Sequence, residues 1–548
     1  MHHRNRRAHR AVASLAVAGI AALAAPVFAG GTASAADKPA SATVLGRTLL
    51  VSGSSGAETI TLRSPAANPS TIEVDVGGDG VADATVARAD IDQVVVGAGA
   101  GDDTVTIDET AGVPFTDTIP TWIMGDDGND RLIGGSGAEQ FNGGTGNDVI
   151  DGNRGNDIAV MEGGDDEFIW DPGDGSDTVE GQSGFDVMTF NGNNANEAFV
   201  VAANGNKLRF TRDVGNIVMD TKGLEQVDVK ALGGTDSVRV EDLSRTDVTG
   251  VDVDLGSNLT APGPDALVDT VTVNGSARSD GITVSGTAGS VGIDGLAPRV
   301  TISDADLTDK LVVNALGGRD TIDASLLAAD TMALQVDAGD GNDSVLGGAA
   351  ADILLGGAGN DVVDGNRGND VGFLMGGDDE FIWDPGDGSD IVEGQTGFDV
   401  MTFNGNAAAE VFDTAANGSR VRFTRNVGNI VMDTADVERI DLNALGGADA
   451  LTIGEMSGTP LVAFNADLGA TIGAAGSDAV TDTVTLTGTP GDDVITVSGV
   501  PGAVQVGGLA TAVDILDADP FDVLTFNGVT GNDTVDSSGL APGAITLG

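Results

Sequence analysis

Apolar residues recur at every second position in short runs along most of the chain, with Gly, Asp and Asn between the runs. Asp269-Thr-Val-Thr-Val273, Ile282-Thr-Val-Ser-Gly286 and Leu311-Val-Val-Asn-Ala-Leu316 are typical. Alternation of this kind is the period of a half-buried strand, and the intervening Gly and Asp mark turns. The prediction is an all-β chain.

Two scales of repetition organise these runs. The long one is a tandem duplication: FIWDPGDGSDTVEGQSGFDVMTFNGN at 168–193 returns as FIWDPGDGSDIVEGQTGFDVMTFNGN at 381–406, an offset of 213 residues. The offset persists downstream, where KLRFTRDVGNIVMD from Lys207 matches RVRFTRNVGNIVMD from Arg420. Inside each copy runs a period of nine. GDDGNDRLI from Gly125 is followed by GGSGAEQFN, GGTGNDVID, GNRGNDIAV and MEGGDDEFI, and after an insertion at Trp170-Asp171 by PGDGSDTVE and GQSGFDVMT. The second copy runs from Ala338 to Thr402 with its own insertion, Trp383-Asp384.

Each nonapeptide reads as a six-residue turn and a three-residue strand. Glycine supplies the positive φ that such a turn needs, and asparagine before the aspartate (Asn129, Asn147, Asn156) is expected to share that left-handed geometry. The apolar residue at position eight, Leu132, Phe141, Ile150 or Phe168, points inward because alternate strand residues face opposite sides. Two such half-turns close one coil of a parallel β-roll. Repeated short units of this type stack into solenoids. The expected organisation is a signal peptide at 1–35, a β segment at 36–124, rolls at 125–189 and 338–402, a β-rich connection at 190–337 and a C-terminal β segment at 403–548. For the connecting segments, irregular solenoid coils are the expectation and small β-sandwich modules the competitor.

Composition narrows the chemistry. Against 26 basic residues stand 84 acidic ones, a net charge of −58, which disfavours nucleic acid and anionic lipid as partners. Cysteine is absent, and the three histidines, His2, His3 and His9, all lie in the N-terminal basic stretch. A Ser-His-Asp or Cys-His nucleophile and a His-ligated zinc are therefore excluded from the remainder of the chain. MHHRNRRAHR followed by an apolar run and small-residue cleavage points at Val27-Phe-Ala29 and Ala33-Ser-Ala35 reads as a secretory signal, so an extracellular, released or surface-associated protein without a membrane span is expected.

The nonapeptides fit GGxGxDxUx, with U a large apolar residue, and in this the chain resembles the hemolysin-type calcium-binding repeats of the RTX family. The duplicated long unit, with NALGGxDxx segments such as Asn314–Ile322, is similar to the mosaic calcium-binding proteins of that family. The resemblance implies a metal role for the sixth-position aspartates. In the first block these are Asp130, Asp148, Asp157, Asp166, Asp177 and Asp186; in the second they are Asp343, Asp352, Asp361, Asp370, Asp379, Asp390 and Asp399. Coils about 4.8 Å apart bring Asp130, Asp148 and Asp166 into one row and put Asp157 and Asp177 on the opposite edge. Such a row repels itself without a cation, and calcium accepts six to eight oxygens, including turn carbonyls. Glu139 replaces the aspartate of one turn, Ala350 replaces a glycine, and Met161-Glu162 and Leu374-Met375 replace opening glycines. Ala159 and Gly372 are small for a core position, so a weaker coil is expected there.

Outside the register, Asp75, Asp79, Asp83, Asp102 and Asp103 are expected in simple turns. Trp170 and Trp383 are expected to cap the edge of a small core rather than to serve as glycan-stacking platforms. Arg209, Arg212, Arg422 and Arg425 are expected in ion pairs. The functional expectation is a non-catalytic, calcium-loaded extracellular scaffold whose folding depends on calcium, with surface or matrix glycans or proteins as partners. The rivals are an extracellular carbohydrate-active enzyme working through carboxylates and an adhesin.

Overall fold

The computed structural model describes residues 40–260, 263–473, 476–528 and 530–548. The signal-peptide reading of 1–35 lies outside the described residues. Two long sheets face each other, and the chain alternates between them, strand by strand, along most of its length. Within the first block, Thr121–Asp127, Gln140–Thr145, Ile158–Gly163 and Thr178–Ser183 lie parallel in one sheet. Arg131–Ile133, Val149–Asp151, Glu167–Trp170 and Val187–Asn191 lie parallel in the other.

The register shows why the period is nine. Gln140 pairs with Trp122 on one side and Ile158 on the other, so one coil consumes two nonapeptides. The Trp170-Asp171 insertion lengthens the next step, and Ile158 pairs with Thr178 while Glu167 pairs with Val187. Position-eight residues from both sheets meet between them: Ile123, Phe141, Ala159 and Val179 from one, Leu132, Ile150, Phe168 and Met188 from the other, all fully buried. The second block repeats this from Ala333–Asp337 to Val400–Asn404. One apolar core runs unbroken from Leu49 to Ile545.

The connecting segments continue the same two sheets as irregular solenoid coils; the sandwich alternative does not occur among the described residues. Besides a register shift at Thr283–Ser285 and at Thr496–Ser498, their irregularity takes one recurring form. In place of one parallel strand the chain makes a three-stranded antiparallel excursion before returning to the ladder. Ala198–Asn204, Lys207–Arg212 and Ile217–Lys222 form one such excursion, its last strand pairing with Thr178–Ser183 and its first with Ser237–Val240. It recurs at Val411–Asn417, Arg420–Arg425 and Ile430–Ala435. The opposite sheet has its own at Gly281–Thr287, Ser290–Asp294 and Arg299–Ser303, and at Val494–Val500, Ala503–Gly507 and Ala512–Leu516. Gly205, at φ 74°, turns the first of these hairpins in two residues, where a left-handed first turn position matches the strand twist.

Trp170 and Trp383 are fully buried, as core residues and not platforms. Each stacks on a phenylalanine of the next coil, Trp170 on Phe190 and Trp383 on Phe403, with ring centroids 4.0 Å apart in both copies. Arg212 lies 5.2 Å over Trp170 and is ion-paired, also buried, to Glu197; Arg425, Trp383 and Glu410 repeat the set. Arg209 pairs with Asp220 at 3.0 Å on the surface.

Two expectations are corrected. Asn129, Asn147 and Asn156 are not left-handed; the left-handed positions are two and four, exemplified by Asp126 at φ 70° and Gly128 at φ 142°. The core at Gly372 is also not left underfilled, because a large residue opposite takes the space. A Cβ on Gly372 would lie 2.9 Å from the ring of Phe381, which fills that space and is itself fully buried.

Candidate metal centre

From Asp130 and from Asp343 onward each strand of the rolls begins just after an acidic residue, and these residues form columns along the two edges of the solenoid. One carboxylate oxygen of nearly every one accepts the main-chain N–H of its counterpart one coil earlier; Glu139 and Asp352 instead accept the N–H of Gly135 and Gly348 within their own turns. The Asp103 N–H donates to Asp130, that of Asp130 to Asp148 and that of Asp148 to Asp166, each at 2.8 Å, and Asp166 donates to Asp186 at 3.1 Å. On the other edge Glu139 donates to Asp157 at 2.7 Å and Asp157 to Asp177 at 2.8 Å. In the second block one column runs Asp320, Asp343, Asp361, Asp379, Asp399, and the other Asp352, Asp370, Asp390.

The fifth position runs the opposite way. The Asn147 N–H donates to the side-chain oxygen of Asn129, Asp165 to Asn147 and Phe185 to Asp165. These asparagines therefore stitch coils together, which explains their presence without left-handed backbone.

The ladder uses one oxygen per carboxylate. Of the sequence-predicted ligands, all except Asp177 and Asp390 keep a second oxygen that is buried and has no hydrogen-bond partner. Leaving a buried acceptor unpaired costs about 1–3 kcal/mol, more when it is charged, so a column of them calls for a cation. The space beside these oxygens belongs to first-position glycines. A Cβ on Gly143 would lie 2.5 Å from Asp148 Oδ2 and 2.6 Å from the Met161 carbonyl oxygen; on Gly356 it would lie 2.9 Å from both Asp361 Oδ2 and the Leu374 carbonyl oxygen. Glycine thus keeps a cradle open, walled by a carboxylate oxygen and the carbonyl of the next coil.

Burial raises the carboxyl groups well above the ordinary aspartate range. Asp130, Asp166 and Asp186 are pushed to about 6 and Asp148 and Asp177 to about 7, chiefly by desolvation. Asp157 reaches about 10, where Asp177 and Glu139 add like charge to desolvation. In the second block Asp352, Asp361 and Asp390 rise to about 6, Asp399 to about 7 and Asp370 to about 8, and Asp343 and Asp379 rise as well.

Among the described residues no three acidic side chains converge on one point. A metal-holding set here would be two carboxylates from successive coils, completed by main-chain oxygens. Hard oxygen donors of this kind, without nitrogen or sulfur, suit calcium better than a transition metal. Bound calcium would supply positive charge and draw oxygens to about 2.3–2.6 Å.

The columns also contain residues that the nine-residue register missed. Asp103, Asp236, Asp269, Asp320, Asp449 and Asp482 each carry a buried, unpartnered second oxygen. Asp103 was expected in a simple turn; it stands one coil before Asp130 in the column instead and itself accepts the Glu58 N–H at 2.6 Å. A signal was present in each case, an aspartate two positions before an inward apolar residue: Val105, Val238, Val271, Ile322, Leu451 and Val484.

A model of the RTX calcium-binding nonapeptide repeat matches the chain in four copies, at residues 122–148, 133–168, 171–189 and 337–371. No curated protein matches it. Among solved structures the extracellular lipase LipA from Serratia marcescens is similar at 15% identity and a TM-score of 0.11, a match covering 61% of this chain and 42% of the lipase. Among the described residues no helix is long and apolar enough to cross a membrane. Within the matched stretches the columns of aspartates over open glycine turns are therefore those of RTX calcium-binding nonapeptide repeats, which this chain carries in both halves of its duplication.

Proposed function

We propose that the protein is exported, folds by loading calcium into both blocks, and acts outside the cell as a stiff, acidic, non-catalytic scaffold. The observation that carries this reading is the column of buried carboxylates, most with one oxygen committed to the backbone ladder and the other unpartnered, several of them beside a glycine cradle. Without the ion those carboxylates repel one another and resist desolvation; with it, each coil gains ligands from the coil above. Binding to the folded state alone adds about 1.4 kcal/mol per site at ten times the dissociation constant, so several sites can decide whether a block folds. Coupling of this kind lets a chain stay unfolded where calcium is scarce and fold where it is plentiful. The sequence supports a non-catalytic role through the absence of cysteine and of any histidine beyond His9.

The test is far-UV circular dichroism of the full chain in chelator and during calcium titration. The expected outcome is a weak β signal in chelator and a cooperative gain with calcium, not reproduced by magnesium. A spectrum indifferent to calcium would sink the proposal.

A further inference from the structure

We infer that each half of the duplication holds a further cation site outside the nonapeptide repeats, built by Asp236 and Asp269 in the first half and by Asp449 and Asp482 in the second. It rests on the calcium reading above only for the identity of the ion. These four aspartates belong to the column that starts the strands Ser237–Val240, Thr270–Asn274, Ala450–Ile453 and Thr483–Thr487. Asp236 is 3% exposed, Asp269 1%, Asp449 3% and Asp482 1%. The Asp236 N–H donates to Asp269 Oδ1 and the Asp449 N–H to Asp482 Oδ1, both at 2.7 Å. In all four the Oδ2 atom is buried and has no partner, the same state as in the nonapeptide columns.

Neighbouring turns show that this state is not imposed by the fold. One coil further on, Asp309 gives Oδ1 to the Asp269 N–H and Oδ2 to the Asp306 N–H, and Asp522 does the same with Asp482 and Asp519. Asp280 and Asp493 use the N–H groups of Ser276 and Thr489 in the same way. Such turns satisfy their own carboxylate and require no ion. The turns at Asp236 and Asp269 lack an internal donor for the second oxygen, although the surrounding chain offers that solution repeatedly.

A third carboxylate stands at the rim. Asp265 Oδ2 accepts the Gly234 N–H at 3.2 Å and Oδ1 accepts the Leu267 N–H at 2.7 Å. Asp478 does likewise with Gly447 at 3.1 Å and Val480 at 2.8 Å. The Asp269 turn carries no glycine between Asp265 and Asp269, so an acidic rim stands where a nonapeptide turn would offer glycine carbonyls. The ligand class is a hard divalent cation, with calcium the one that fits the oxygen donors.

The experiment counts calcium bound to the full chain by equilibrium dialysis, comparing wild type with Asp269→Asn/Asp482→Asn. Asparagine keeps the oxygen that accepts the Asp236 and Asp449 N–H groups and replaces only the unpartnered one. The expected result is one ion fewer per half, with the circular dichroism of the calcium-loaded chain unchanged. Equal counts overturn the inference and leave the nonapeptide reading standing, whereas a wild type that binds no calcium overturns both. Should the double variant not fold, anomalous scattering from wild-type crystals grown in calcium decides. A peak between the Asp236 and Asp269 carboxylates supports the inference; peaks confined to the nonapeptide turns overturn it.

Discussion

At Gly146 the backbone sits at φ 118°, and a Cβ there would overlap the carbonyl oxygen of Gly128 one coil below. Two constraints act on one residue, a left-handed conformation and the close approach of stacked turns. Gly205 shares only the first, since a Cβ on it meets nothing within 4 Å. Gly146→Ala is therefore expected to lose about 1–3 kcal/mol beyond the loss at Gly205→Ala, read as the difference in urea midpoint at saturating calcium. The aspartates of the repeats were legible in the sequence because a fixed nine-residue step repeats their surroundings. Asp103 and Asp236 were not, because turns of other lengths around them hide the step although the side chains end in the same column. The role of Asn147 was misread for another reason: a preference for left-handed backbone and a preference for accepting a hydrogen bond both select asparagine, and sequence alone does not separate them.

The elements beside the insertions carry an aromatic cluster repeated in both halves. Trp170 is stacked on Phe190, covered by Arg212 and hydrogen-bonded from Nε1 to the Gly175 carbonyl at 2.8 Å, so its removal opens a large cavity and leaves the buried guanidinium with Glu197 alone. Trp170→Ala is expected to cost about 3–5 kcal/mol, measured by denaturant unfolding in calcium. The exposed Arg47–Asp92 pair, at 2.6 Å, provides the contrast; Arg47→Ala should change stability by about 1 kcal/mol or less. Strand content was readable from the two-residue alternation. The antiparallel excursions were not, because FVVAANGNKLRF alternates identically whether its strands join a solenoid or fold back on each other. What distinguishes them is the direction of pairing, which depends on the loop and not on the strand.

Across the whole molecule, the raised carboxyl groups make stability depend on pH in a direction opposite to that of ordinary acid-sensitive proteins. In the ion-free chain the folded state holds protons that the unfolded state releases, from the ordinary aspartate range up to about 6 to 8 for most of the column. Folding is then favoured at low pH and loses that contribution as pH rises through the folded values. The expected outcome in chelator is β signal near pH 4 that fades as pH passes 6 to 7, while calcium restores it at pH 7.5 with release of protons. Circular dichroism over a pH series, with and without calcium, checks both. A β signal that grows as the chelated chain is made alkaline would contradict the desolvation account.

Because Gln140 and Ile158 occupy the same place in successive coils, Glu139 can be spliced directly to Ile158 and the ribbon closes over the gap. Excising residues 140–157 should give a shorter protein that still folds in calcium with a single cooperative melt. Excising only 140–148 exchanges the two faces for everything downstream, sending each strand to the wrong wall, and should abolish that melt. The ladder in this architecture is thus quantised: strands are gained or lost in pairs, while single turns absorb extra residues, as at Trp170-Asp171, and a family of such chains can lengthen or shorten without inventing new packing.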